Sequence, residues 1–210
     1  LFDTAHAAAA MNVLGKIVLI GVGLIGGSLM LDLKRRRQVG TVVGIDINAD
    51  NLARALERRV IDEAHTEITA DNIAQADLVV LATPVATLPS LCRLLLPHLP
   101  PHTVVSDVGS TKQSALEAFA QYLPQHFPRC VAAHPIAGSD RSGALAAQFG
   151  LYQDKKLIVC PHGRQDAGSL HLVENVWRSV GAEIHTMDAA EHDAIFAAVS
   201  HFPHLLAFSY

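Results

Sequence analysis

The sequence predicts an α/β protein with a mostly parallel sheet and helices on both of its faces. Three observations carry that expectation. Short apolar runs of strand length alternate with longer amphipathic stretches along most of the chain, the pattern of repeated strand-helix-strand units. A glycine-rich turn joins the first apolar run to the first amphipathic one. The composition, 50% hydrophobic and 17% charged over 210 residues, suits a globular chain with a large core, either one large domain or one domain and the start of another.

The elements follow in order. Residues 16–21 form an apolar strand, and residues 24–37 a helix whose basic end suits its negative dipole terminus. Residues 41–46 are the second strand and 49–58 a second helix. The cycle continues with a strand at 78–82, a helix at 88–96 closed by Pro97, and a strand at 103–107. Ser110 and Gln113 have the spacing of a capping box for a helix reaching Tyr122. Residues 129–133, 156–160 and 183–186 read as strands and 167–180 as a helix, so the sheet runs to about residue 187. Asp188 with Glu191 resembles another N-cap pair. From there Ile195, Val199, Phe202 and Leu206 recur at helical spacing up to the last residue, Tyr210. An apolar helix without a closing cap implies either a longer chain or a partner. Residues 1–10 lack an initiator methionine and the features of a signal peptide, and read as a leader or expression scar with Met11 the native start. The expected division is therefore a scar at 1–10, a nucleotide-binding domain at 11–187, and the first helix of a second, helical domain at 188–210.

Charge and cysteine content exclude several classes. The 16 basic and 20 acidic residues give a net charge of -4, which offers no reason to bind nucleic acid or an anionic membrane surface. The uncharged run at residues 17–31 contains several glycines and falls short of the ~20 residues a membrane span requires. Cys92, Cys130 and Cys160 are far apart and odd in number. That argues for a reducing cytoplasm over a disulfide framework.

Gly21, Gly23 and Gly26 form Gly-x-Gly-x-x-Gly between the first strand and the first helix. This arrangement cradles the pyrophosphate of a dinucleotide, with Gly21, Val22, Gly23, Leu24, Ile25 and Gly26 as the expected contacts. Asp46 closes the second strand 20 residues after Gly26, where a carboxylate accepts the ribose hydroxyls of NAD and repels the 2′-phosphate of NADP. No arginine follows it at residues 47–49. Thr83 and Pro84, after the strand at 78–82, lie where loops touch the nucleotide, although an ordinary turn explains them equally well.

Polar groups also stand in three otherwise apolar segments: residues 107–112, 134–140 and 200–204. His134, at the carboxyl edge of its strand, is a candidate base for a substrate hydroxyl as hydride leaves the same carbon. On residues alone, a hydrogen-bonded turn histidine is as good a reading. Ser110 reads as a helix cap or as an anion contact at that helix terminus. His201 and His204 stand at i and i+3. No further ligand has a recognisable spacing, so no metal is expected.

Residues 21–28, 107–112, 134–139 and 200–204, in this order, closely resemble the corresponding segments of the prephenate and arogenate dehydrogenases of tyrosine biosynthesis. The His-Pro-Ile-Ala-Gly-Ser segment followed by Ser-His-Phe-Pro-His is its specific part. The resemblance implies a Rossmann-type domain followed by an all-helical domain that makes a homodimer and completes the substrate pocket. It implies NAD-dependent oxidative decarboxylation of prephenate, or of arogenate, in the cytoplasm. It further implies that His134 takes the proton of the ring 4-hydroxyl with Ser110 bonded at the same centre, and that Ser139, His201 and His204 touch the substrate. The family's substrate-binding arginine lies after the histidine pair, and this chain stops before such a segment, so a truncated chain or an incompletely active one is expected. Two rivals remain: another NAD(P) dehydrogenase of small substrates with a helical second domain, and a nucleotide-binding module without catalysis.

Overall fold

A computed structural model describes residues 13–137 and 143–198. The strands are β1 (Leu14–Ile20), β2 (Val39–Ile45), β3 (Glu63–His65), β4 (Leu78–Leu81), β5 (Val104–Asp107), β6 (Cys130–Pro135), β7 (Lys156–Cys160) and β8 (Glu183–Thr186). The helices are α1 (Leu24–Arg35), α2 (Ala49–Glu57), α3 (Ala70–Ile73), α4 (Leu88–Leu95), α5 (Lys112–Tyr122), α6 (Ala167–Ser179) and α7 (Ala189–Phe196). All strands join one sheet in the order β3-β2-β1-β4-β5-β6-β7-β8. Strand order reverses between β1 and β4, which opens a crevice at the carboxyl edge, the place where open α/β sheets bind ligands.

Period-2 alternation sorts the strand residues onto two faces. Ile17 and Leu19 pack with Leu29, Met30 and Leu33 of α1, Leu52 of α2 and Trp177 of α6. Val18 and Ile20 pack on the other face with Leu88 and Cys92 of α4 and Phe119 of α5. Both faces being covered, the central strands are apolar nearly throughout. The 143–152 segment is strapped across α1 and α2. Ser28 Oγ and Asp32 Oδ1 accept the N–H groups of Gln148 and Gly150 at 2.9 and 2.8 Å, and Arg58 donates to the carbonyls of Ala144 and Ala147.

Three features depart from the sequence expectation. β3 and α3 were not foreseen: Glu63-Ala64-His65 has no apolar alternation, and a four-residue helix shows no period. β6 continues past residue 133 to Pro135, so His134 belongs to the strand. Finally, β7 pairs antiparallel with β6 and parallel with β8, so the last two strands run against the others. That reversal sends α7 back toward the carboxyl edge on the side of Ala132 and Ile158, with Met187 and Phe196 packed there. Of the predicted apolar face of this helix, Ile195 is 40% exposed, while Ala189 and His192 are buried. Val199, Phe202 and Leu206 lie outside the described residues, as do residues 1–12.

Candidate active site

The glycine turn shows three different reasons for its three glycines. Gly21 has φ +88, and a Cβ there would stand 2.7 Å from the Ala82 carbonyl oxygen. At Gly26 a Cβ would collide with Leu19 and lie 2.9 Å from the Ala82 Cβ, so this glycine lets α1 approach the sheet. Gly23 has open space where its Cβ would be. It is the N-cap of α1 and brings no side chain to the first helical N–H groups. A backbone bare at that point admits the pyrophosphate of a dinucleotide.

Asp46 follows β2 and turns back toward this loop. Its Oδ2 accepts the Val22 N–H at 2.9 Å and the Asn51 Nδ2 at 3.2 Å, and its Oδ1 accepts the Asn48 N–H at 2.9 Å. Asn51 also donates to the Val22 carbonyl at 2.7 Å and accepts the Ala144 N–H at 2.7 Å. It thereby ties the turn, the acid and the 143–147 segment together, a role its sequence position does not advertise. A cleft of about 530 Å³ opens here. It is lined by Gly21, Val22, Gly23 and Asp46, by Thr83 and Pro84, and by an apolar wall that includes Ile47, Ile68 and Leu94. Leu24, Ile25 and Gly26 lie in the first turn of α1, beside the cleft rather than in its lining.

Farther along the same edge, at the ends of β5 and β6, Asp107 and Lys112 form a fully buried ion pair. Lys112 Nζ lies 2.5 Å from Asp107 Oδ2 and 2.6 Å from the Ala133 carbonyl oxygen, while Asp107 accepts the Ala133 N–H at 3.2 Å and the Gly109 N–H at 2.9 Å. The pair therefore grips both backbone groups of the residue before His134. Two charges withdrawn from water are tolerated in this way, each satisfied by backbone partners as well as by the other.

His134 meets α7. Its Nδ1 lies 2.8 Å from His192 Nε2, and His192 Nδ1 lies 2.7 Å from Asp193 Oδ1. The Phe196 ring stacks on His192 at 4.6 Å and stands edge-on to His134 at 5.0 Å. Asp193 also accepts the N–H groups of Lys112 and Gln113, at 2.7 and 3.0 Å. Burial pushes its carboxyl up. The hydrogen bonds from Lys112, His192 and Gln113 outweigh that and hold it below the usual carboxylate range.

This geometry corrects the expected capping box. Thr111, not Ser110, is the N-cap of α5, it makes no side-chain cap bond, and the helix amides are satisfied from Asp193 instead. Ser110 is exposed on the loop between β5 and α5. Ser139, His201 and His204 lie outside the described residues. His192 and Asp193 were not foreseen. The signal was the row Ala189, His192, Phe196 at helical spacing on the inward face, a polar residue inside an apolar stripe.

The model of the family "Prephenate dehydrogenase, nucleotide-binding domain" matches residues 29–186. The prephenate dehydrogenase of Bacillus subtilis is 34% identical over 194 residues, which cover 92% of this chain and 52% of that protein. The cyclohexadienyl dehydrogenase of Zymomonas mobilis is 32% identical over 94% of this chain and 67% of its own length. Among solved structures, the Aquifex aeolicus prephenate dehydrogenase in complex with hydroxyphenyl propionate and NAD+ superposes with a TM-score of 0.87 at 34% identity, covering 93% of this chain and 67% of that one. This chain thus spans about half the length of the Bacillus relative.

Proposed function

The chain belongs to the prephenate dehydrogenase family through its nucleotide-binding domain, and we propose that the protein oxidatively decarboxylates prephenate to 4-hydroxyphenylpyruvate and CO2 with NAD as the hydride acceptor. The observation that carries this reading is a histidine held by two networks at the edge that also bears the dinucleotide cleft. Ala133 is clamped by Asp107 and Lys112, and the His134 ring is bonded to His192. Gly21, Gly23, Gly26 and Asp46 fit NAD, since the turn has space at Gly23 and presents a carboxylate, with no basic residue directly after it.

NAD supplies the hydride acceptor when bound. His134 takes the proton of the ring 4-hydroxyl as the carbon beneath it is oxidised. Loss of the ring carboxylate as CO2 then makes the ring aromatic, so the protein must position the substrate and hold one base more than it must polarise a bond. Ser110 is the proposed second contact at that hydroxyl. Ser139, His201 and His204 are proposed to face the substrate. Residues 11–187 would form the nucleotide-binding domain, and the helix entered at Asp188 the start of a helical segment through which two copies pair in the cytoplasm. Among the described residues no helix is long and apolar enough to cross a membrane.

The testing experiment is NADH formation by the full-length protein with prephenate and, separately, arogenate. Prephenate is expected to be the better substrate. NADH formation with neither would refute the reading, and a preference for arogenate would move the protein to the second substrate. A monomer by light scattering would refute the pairing.

A further inference from the structure

We propose that His192, held by Asp193, is a positioning residue that keeps the imidazole proton of His134 on Nδ1 and so makes Nε2 the nitrogen that receives the substrate proton. The inference rests on the reading of His134 as the base. It follows from counting hydrogens. The Asp193 carboxylate accepts and does not donate, so His192 Nδ1, at 2.7 Å, carries the hydrogen. A neutral imidazole has one, and His192 Nε2 is therefore an acceptor. His134 Nδ1, at 2.8 Å from it, must be the donor.

Among the described residues, the charged groups packed against the pair are Lys112 of α5, Asp107 of β5 and Asp193 of α7. His192 is fully buried and flanked by Phe196 on its own helix. Lys112 of α5 is bonded to the carbonyl just before His134 and neutralised by Asp107 of β5. Asp193 lies at the far end of His192. When His134 accepts a proton, the Asp193 carboxylate stabilises the new positive charge through the ring between them. The same logic of a third group orienting a histidine tautomer operates in hydrolase triads, here with a second imidazole inserted.

The test uses 15N-labelled full-length protein and two variants. His192→Phe retains a flat ring without an acceptor, and His192→Gln restores an acceptor close to the Nε2 position. Long-range proton-nitrogen spectra of the wild type should show His134 with its hydrogen on Nδ1. His192→Phe should transfer it to Nε2, lower turnover with prephenate by about 10- to 100-fold, the usual effect of removing a group that orients a functional histidine, and move the acidic limb of kcat/KM to lower pH. NAD affinity and KM should stay near wild type, and His192→Gln should recover most of the turnover. A wild-type spectrum with the His134 hydrogen on Nε2 overturns the proposal, whether or not the variants fold. So does a His192→Phe protein that keeps both the wild-type tautomer and the wild-type limb. If the tautomer pattern holds but prephenate yields no NADH, the substrate reading fails and the positioning role stands.

Discussion

Asp193 accepts the backbone N–H of Lys112 at 2.7 Å across 81 positions of sequence, so the first turn of α5 is capped by a carboxylate from α7. Removing it with Asp193→Ala should cost about 0.5 to 2 kcal/mol, the range for a lost helix cap, measured by urea unfolding at pH 7. The Asp193 carboxyl titrates below its usual value in the folded protein. Its stabilisation is therefore complete above the unfolded value near ~3.9 and is lost as pH falls through the folded one. The difference between wild type and variant should narrow below about pH 4. A gap that stays constant down to pH 3 would refute the assignment.

The Asp107–Lys112 pair should behave as a buried charge pair does. Lys112→Met leaves the fully buried Asp107 uncompensated and should destabilise by about 3 to 5 kcal/mol, whereas Lys112→Met with Asp107→Leu should recover much of the loss. Urea unfolding of the three proteins decides it. A single variant as stable as the wild type would show that the pair is not needed.

The cofactor turn predicts a separation of folding from binding. Gly23→Ala meets open space and should cost no more than about 1 kcal/mol of stability, the disadvantage of alanine against glycine at an N-cap, yet it should weaken NAD binding. Gly26→Ala strikes Leu19 and Ala82 and should lower the melting temperature itself. Asp46→Ala should erode a wild-type preference for NAD over NADP by about 1.5 to 3 kcal/mol, the worth of hydrogen bonds to a charged acceptor. Calorimetric titration of both cofactors provides the readout. Equal affinities in the wild type would remove Asp46 from cofactor choice.

His134→Asn keeps a hydrogen-bonding group but cannot take a proton. In the full-length protein turnover should fall by ~10² to 10⁴, the typical share of general-base catalysis, while NAD affinity holds. Because the loss belongs to the transition state, kcat and kcat/KM should fall together, and the acidic limb of the pH profile should vanish. Ser110→Ala should do less, since it removes a hydrogen bond and no base. Near-normal turnover in His134→Asn would reassign the base.

What could be read from the sequence follows the range of the interaction. The apolar run of Ile17 to Ile20, the glycine spacing and the acid at residue 46 are local, and the sheet, the turn and the cleft were legible from them. His134 stood out by its place at a strand end, but its partners were not legible. Residue 192 lies 58 positions away, and which histidine a base meets depends on the direction of β7 and β8, which no local pattern encodes. Ser110 failed for the same reason. Its spacing to Gln113 satisfied the local rule, and a distant carboxylate took the amides it would have bonded. Asn51 went unnoticed because its bonds to Val22 and Ala144 also join distant segments.

The reversed final strands bear on the order in which the molecule acquires its properties during synthesis. The walls of the nucleotide cleft are drawn from residues 20 to 143, whereas the groups that orient His134 come later, from α7. Closing so long a loop adds little to its equilibrium cost, about 0.6 kcal/mol per doubling of length, but contacts this remote in sequence slow a fold's completion. A growing chain can therefore finish its nucleotide cleft before the proposed base, His134, meets its partners. Cofactor affinity should mature ahead of reactivity, and a nascent protein could hold NAD while it is still unable to use it.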